Sequence, residues 1–147
     1  MGTSASAAVL LKLIQSQGVQ NLLYGIAPSS LSKAEITSFQ FAYNTFFAKI
    51  FKTQDNSVIM SCQYYSGYLP FEMLYDLYRF IFLCRLVSTG CLDKNISLDN
   101  PDYRDYMKLR LKYNFNDNDS KTLIKYKVWN YFEKCFNNIC DSNTFIN

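Results

Sequence analysis

The chain has 147 residues, 49% of them hydrophobic and 17% aromatic, which is enough to bury one core and too little to expect two. Fifteen Lys and Arg against twelve Asp and Glu leave a formal charge of +3, so net charge by itself selects no partner. With no His, Ser-His-Asp and Cys-His catalysis are excluded, and the five cysteines (Cys62, Cys84, Cys91, Cys135, Cys140) contain no Cys-x-x-Cys, so they read as buried or half-buried free thiols in a reducing compartment.

Residues 1–6 are small and polar with no basic lead, and Lys12 interrupts the apolar stretch that follows, so no secretory signal is expected. Ser4 or Ser6 caps a predicted helix over 7–17, with Val9, Leu10, Leu13 and Ile14 on one stripe and Gly18 as its stop. Leu22-Leu23-Tyr24-Gly25 reads either as more helix or as an apolar extended turn, before a break at Gly25, Pro28, Ser29 and Ser30. Ser32-Lys33-Ala34-Glu35 is a capping box opening a long helix to about 51, with Ile36, Phe39, Tyr43, Phe46, Phe47 and Ile50 facing the core. Lys49 and Lys52 near its end suit the negative pole of the helix dipole.

A shorter helix starts at Asp55 or Asn56 and closes at Gly67. Leu69-Pro70 opens the next, which runs to about Ser88 with Gly90 as terminator. Leu74, Leu77, Ile81 and 84–87 form one stripe on it; Phe71, Tyr75, Tyr78 and Phe82 form a second, as expected of a central helix. The apolar run Phe80 to Cys84 lies between Arg79 and Arg85, far short of the ~20 residues of a membrane span. The chain is therefore expected to be soluble and intracellular, in cytoplasm or nucleus, with no membrane partner. Residues 91–100 read as a loop and candidate boundary, Asn100-Pro101 starts a helix to about 113, 114–119 is an Asn/Asp turn, a last helix runs from about 120 to 138, and 141–147 reads as a frayed tail. Nothing alternates long enough for a sheet. The expected fold is all-α, one thumb-like bundle of five to six helices, with residues 1–90 as a first helical region and 91–147 as an extension packed on it.

Between Leu22 and Pro70 an ordered series stands out: Leu22-Leu23-Tyr24-Gly25, the Leu31-Ser32-Lys33 helix entry, Phe41 and Asn44, the run Lys49-Ile50-Phe51-Lys52-Thr53, Cys62-Gln63 with Tyr65-Ser66-Gly67, and Leu69-Pro70. In order and spacing it resembles the segment just beyond the catalytic palm of reverse transcriptases from non-LTR (LINE, jockey-like) retrotransposons. The chain departs from that family at Ala27-Pro28-Ser29-Ser30, where a single short turn is usual, and at Thr45, where a basic residue is common. The resemblance implies a thumb-like module of a mobile element that holds RNA or DNA template-primer through phosphate contacts, with Lys33, Asn44, Lys49 and Lys52 as the carried-over nucleic-acid-binding positions. Polymerization needs clustered Asp carboxylates on two Mg²⁺ ions. There is no Asp-Asp pair in the sequence, so the expectation is a non-catalytic fragment or remnant with no metal site and no cofactor.

Elsewhere the carboxylate pairs Glu72/Asp76 and Asp102/Asp105 lie in first turns of predicted helices, where the dipole favours them, and no catalytic pair is indicated. Arg104, Lys108 and Lys112 recur every four residues on one helix face, and from Arg104 to Lys127 seven basic residues face three acidic ones. With Tyr103, Tyr106, Tyr113 and Tyr126 interleaved, this row is a second candidate nucleic-acid face. With five Gly in all and no glycine-rich phosphate motif, a glycine-built phosphate cradle is not expected. The alternative function is a helical protein-protein interaction or structural domain, whose exposed apolar surface would meet a palm-bearing polypeptide or a second copy.

Overall fold

A computed structural model describes residues 6–93 and 99–144; Ser4, 94–98 and 145–147, on which parts of the cap, loop and tail expectations fall, lie outside the described residues. The first rod is longer than its pattern implies. Helix α1 (Ala7–Leu13), a π-helical segment (Ile14–Val19) and α2 (Gln20–Ile26) follow without a break, since Leu13, Ile14, Val19 and Gln20 all keep right-handed helical angles. Gly18 does not stop this rod. A helical glycine costs about 1 kcal/mol, less than the burial of Leu11, Val19 and Leu23 on the same rod returns. Ser6 occupies the cap position without a side-chain cap bond.

Helix α3 (Lys33–Phe51) opens on the expected capping box: Glu35 N–H donates to Ser32 Oγ at 3.3 Å, and Ser32 N–H donates to Glu35 Oε2 at 2.8 Å. It ends at Lys52, whose backbone is left-handed (φ 53, ψ 43). Helix α4 (Asn56–Ser66) is capped by Asp55, which accepts from Ser57 N–H at 2.8 Å, and is closed by Gly67 at φ 77. Helix α5 (Phe71–Ser88) follows Pro70, which takes the cap position itself and not the first helical one. Helix α6 (Pro101–Tyr113) is capped by Asn100 and closed by a left-handed Asn114. Helix α7 (Lys121–Thr144) begins where Ser120 Oγ accepts from Leu123 N–H at 3.2 Å, and it runs well past 138, taking in residues expected to fray.

Helix α5 is central, packing against α2, α3, α6 and α7. Phe71, Leu74, Tyr75, Leu77, Phe80 and Leu83 are all buried on it. The same core takes in Tyr106, Leu109 and Tyr113 from α6 and Ile124, Val128 and Phe132 from α7, so the chain is a single all-α domain. Some positions differ from the pattern. Of the expected first stripe, Val9, Leu10 and Leu13 are exposed, and Leu11, outside it, is the residue of α1 that is buried. Phe46 is 45% exposed while Tyr43 and Phe47 point inward, and Phe115, in the Asn/Asp turn, is buried with its ring stacked on Phe80 at 4.2 Å. Burial of one ring anchors a turn that its polar neighbours would leave outside. The thiols also divide: Cys62, Cys84 and Cys135 are half-buried, whereas Cys91 and Cys140 are exposed.

A charged network sits against this core. Arg79 of α5 is 1% exposed. Its guanidinium donates to Asp102 Oδ1 at 2.6 Å, to Asp105 Oδ2 at 3.1 Å, and to the carbonyls of Ala27 and Pro28 at 3.0 and 2.9 Å. One turn earlier, buried Asp76 accepts from Lys112 Nζ and Tyr113 Oη, each at 2.7 Å. The carboxylates that the helix dipole accounts for locally therefore also neutralise buried cations and tie α6 to α5. Because a desolvated charge left alone costs several kcal/mol, this network makes the mutual placement of α2, α5 and α6 stringent.

Candidate nucleic-acid interface

Helix α3 carries Phe41, Asn44, Thr45, Ala48 and Lys49 at spacings of one, three and four, which aligns them on one side, and Lys52 follows at its left-handed end. Packed against α4, that side becomes one wall of an open groove of about 690 Å³, closed across by Asn56 and Ile59. Phe41, at 77% exposure, presents its ring to solvent at one end. Lys49 and Lys52 are exposed at the other, and neither ammonium is paired with a carboxylate among the described residues. Among the described residues no acidic side chain lines the groove. Asp55, the nearest carboxylate in sequence, is turned to the α4 cap; hydrogen bonds from the Ser57 side chain and then its backbone hold it below the usual carboxylate range.

Asn44 has a structural duty as well. Its Oδ1 accepts from Gln40 Nε2 at 2.7 Å and from Gln63 Nε2 at 3.0 Å, and Gln40 Oε1 accepts in turn from Glu72 N–H at 3.1 Å. This relay through buried Gln63 fastens α3, α4 and the start of α5, and so holds the groove walls in register. The relay escapes the sequence pattern, since nothing in the spacing of Gln40, Asn44 and Gln63 requires their amides to meet.

Lys33 is exposed in the first turn of α3, and at 1.5 Å per residue it stands roughly 24 Å along the axis from Lys49. It does not join the groove. On α6, Arg104 and Lys108 are exposed, but Lys112 is half-buried between Asp76 at 2.7 Å and Glu72 at 3.3 Å. Burial works against the Lys112 charge, and the Asp76 hydrogen bond and charge outweigh it, leaving the pKa raised. Arg110 pairs with Asp117 at 3.1 Å and Lys127 with Asp119 at 2.6 Å. Much of the local positive excess is thus neutralised internally. Tyr106 and Tyr113 are buried in the core and present no stacking face, whereas Tyr126 is 59% exposed.

Among the described residues no three Cys, Asp or Glu side chains converge as metal ligands would, and no helix is long and apolar enough to cross a membrane. No protein-family model, no curated protein and no solved structure matches this chain.

Proposed function

We propose that this chain is a non-catalytic, thumb-like module that holds template-primer nucleic acid by phosphate contacts in the α3–α4 groove. The observation that carries this reading is the convergence of Phe41, Asn44, Lys49 and Lys52 on one groove without a lining carboxylate. Two ammonium groups on flexible stems neutralise phosphates without reading bases, so affinity is sequence-independent and falls steeply with salt. Lys33 and the exposed Arg104 and Lys108 would add peripheral contacts at most, and Lys112 would stay with its carboxylates. The catalytic carboxylates belong to a separate palm-bearing polypeptide in this reading. Titrating a fluorescent primer-template duplex at two salt concentrations tests it. Changing Lys49 and Lys52 together to Ala is expected to lower the log-log salt slope by about 1.5; an unchanged slope removes the α3–α4 groove from consideration.

A second reading, a helical interaction domain, is favoured by one feature. Between the first rod and α3 lies an apolar hollow of about 280 Å³, bordered by Ile14, Val19, Leu22, Phe39, Phe46 and Phe71, with Leu22 and Phe46 partly open to solvent. If that face binds protein, Phe46→Glu abolishes association seen by sedimentation while leaving duplex binding intact.

A further inference from the structure

Of the cations on α5, α6 and α7, Arg79, Arg110, Lys112 and Lys127 each face a carboxylate at 3.3 Å or less. Arg85, Lys121 and Lys125 do not. They are exposed and unpaired among the described residues, although α5 and α7 bring them together from 36 or more positions apart in sequence. All three border a hollow of about 480 Å³ between the first rod, α5 and α7, and Lys125 also borders an adjoining one of about 530 Å³; the two share Gln15, Gln20, Leu74 and Lys125 and so form one trench. Among the described residues no Asp or Glu lines either hollow.

Aromatic faces accompany the charges. Tyr24, 61% exposed, stands at one hollow, its ring edge-on to Tyr78 at 5.3 Å and thereby held. Tyr126, 59% exposed, and Trp129 stand at the other, with Trp129 stacked on Tyr64 at 5.8 Å and 12°. Lys121 and Lys125 are one helical turn apart, roughly 6 Å along α7, while successive phosphates of a stacked strand rise by about 3.4 Å. The two ammoniums therefore match phosphates one or two nucleotides apart, with rings beside them to receive bases.

We propose that this trench binds single-stranded nucleic acid, with Arg85, Lys121 and Lys125 on the phosphates and Tyr24, Tyr126 and Trp129 against unpaired bases. A duplex buries its base faces and could use only the charges; a single strand uses both. An acidic peptide would satisfy the cations but leave the exposed rings without planar partners. The trench shares no lining residue with the α3–α4 groove, so the two sites stand or fall separately.

Trp129 is the only tryptophan in the chain, so its emission reports occupancy of the trench directly. The test uses a fluorescein-labelled oligothymidylate of about 12 nucleotides, read by anisotropy between roughly 50 and 200 mM salt, with Trp129 emission followed on unlabelled oligomer. We expect saturable binding that quenches Trp129. The Arg85→Ala/Lys121→Ala/Lys125→Ala variant is expected to flatten the log-log salt slope by about 2, and Tyr126→Ala to weaken binding about 5-fold or more with the slope unchanged. Far-UV circular dichroism checks that the variants remain folded, and the wild-type Trp129 signal does not depend on any variant. An abasic oligomer or inorganic polyphosphate binding as tightly as oligothymidylate overturns the proposal, as does equal binding of polyglutamate, or no quenching of Trp129 at saturation. A Lys49→Ala/Lys52→Ala protein should keep its oligothymidylate affinity. If that variant loses it while the triple variant does not, single strands sit in the α3–α4 groove and the trench assignment is wrong.

Discussion

Lys52 offers a perturbation in which stability and binding move independently. It closes α3 with φ 53, a conformation in which an L side chain crowds its own backbone. A glycine there escapes that crowding, which is why glycine is the common residue just past a helix end. Lys52→Gly and Lys52→Ala remove the same charge and the same interaction with the helix dipole, so those contributions cancel between them. What remains is the left-handed strain less the larger unfolded-state entropy of Gly, a net of about 1 kcal/mol in favour of Gly. For a chain of 147 residues the unfolding entropy is about 0.3 kcal/mol per degree, so the Gly protein should melt about 3 °C above the Ala protein. Both should lose the same amount of duplex affinity, with a salt slope lower by about 0.8. Thermal unfolding at 222 nm and duplex titration of the two variants side by side supply the test. Equal melting temperatures would show that the strain at Lys52 does not exceed the extra unfolded-state entropy of glycine, and the expected gain would be refuted. A binding loss in Ala but not in Gly would mean that the backbone, not the charge, matters to the groove, and the phosphate-contact argument would fail.

Arg79→Met leaves the Asp102 and Asp105 carboxylates without their buried partner and should cost about 3–5 kcal/mol; at an m-value of about 2 kcal/mol/M the urea midpoint falls by roughly 2 M, and a loss under about 1 kcal/mol refutes the role given to the network. Tyr113→Phe removes a hydrogen bond to buried Asp76 and should cost about 1.5–3 kcal/mol at neutral pH. Burial first, then the charge of Asp76, raises the Tyr113 pKa, and Lys112 is raised by Asp76 against its own burial. Both groups keep protons in the folded state that the unfolded chain releases near pH 10, so their stabilisation is complete below about pH 10 and declines as pH rises further. Denaturant midpoints measured from neutral to alkaline pH should accordingly fall less steeply in Tyr113→Phe than in the wild type. Burial lifts the Cys84 thiol to about 11, so iodoacetamide at pH 8 should alkylate exposed Cys91 well before Cys84, as read by peptide mass spectrometry; the reverse order contradicts that placement.

Most helix boundaries were legible because the groups that set them lie within a few residues of one another. Ser32 and Glu35 are three apart, Asp55 caps from two residues before Ser57, and Asn100 does the same for Asp102. The alignment of Phe41, Asn44 and Lys49 on one face likewise follows from 3.6 residues per turn, whereas Lys52 is placed by the left-handed turn that ends the helix. Where local signals misled, burial had outweighed them: at Gly18 a propensity cost of about 1 kcal/mol lost to three buried side chains on the same rod. Partners distant in sequence stayed hidden. Arg79 meets carbonyls 51 and 52 residues before it and carboxylates 23 and 26 after it, Lys112 reaches Asp76 across 36 positions, and Arg85 meets Lys121 and Lys125 only because α5 and α7 lie side by side. Evenly spaced lysines therefore look alike along the chain, and packing separates them: those that find a carboxylate in the folded state are neutralised, and those that do not carry the positive field into solvent.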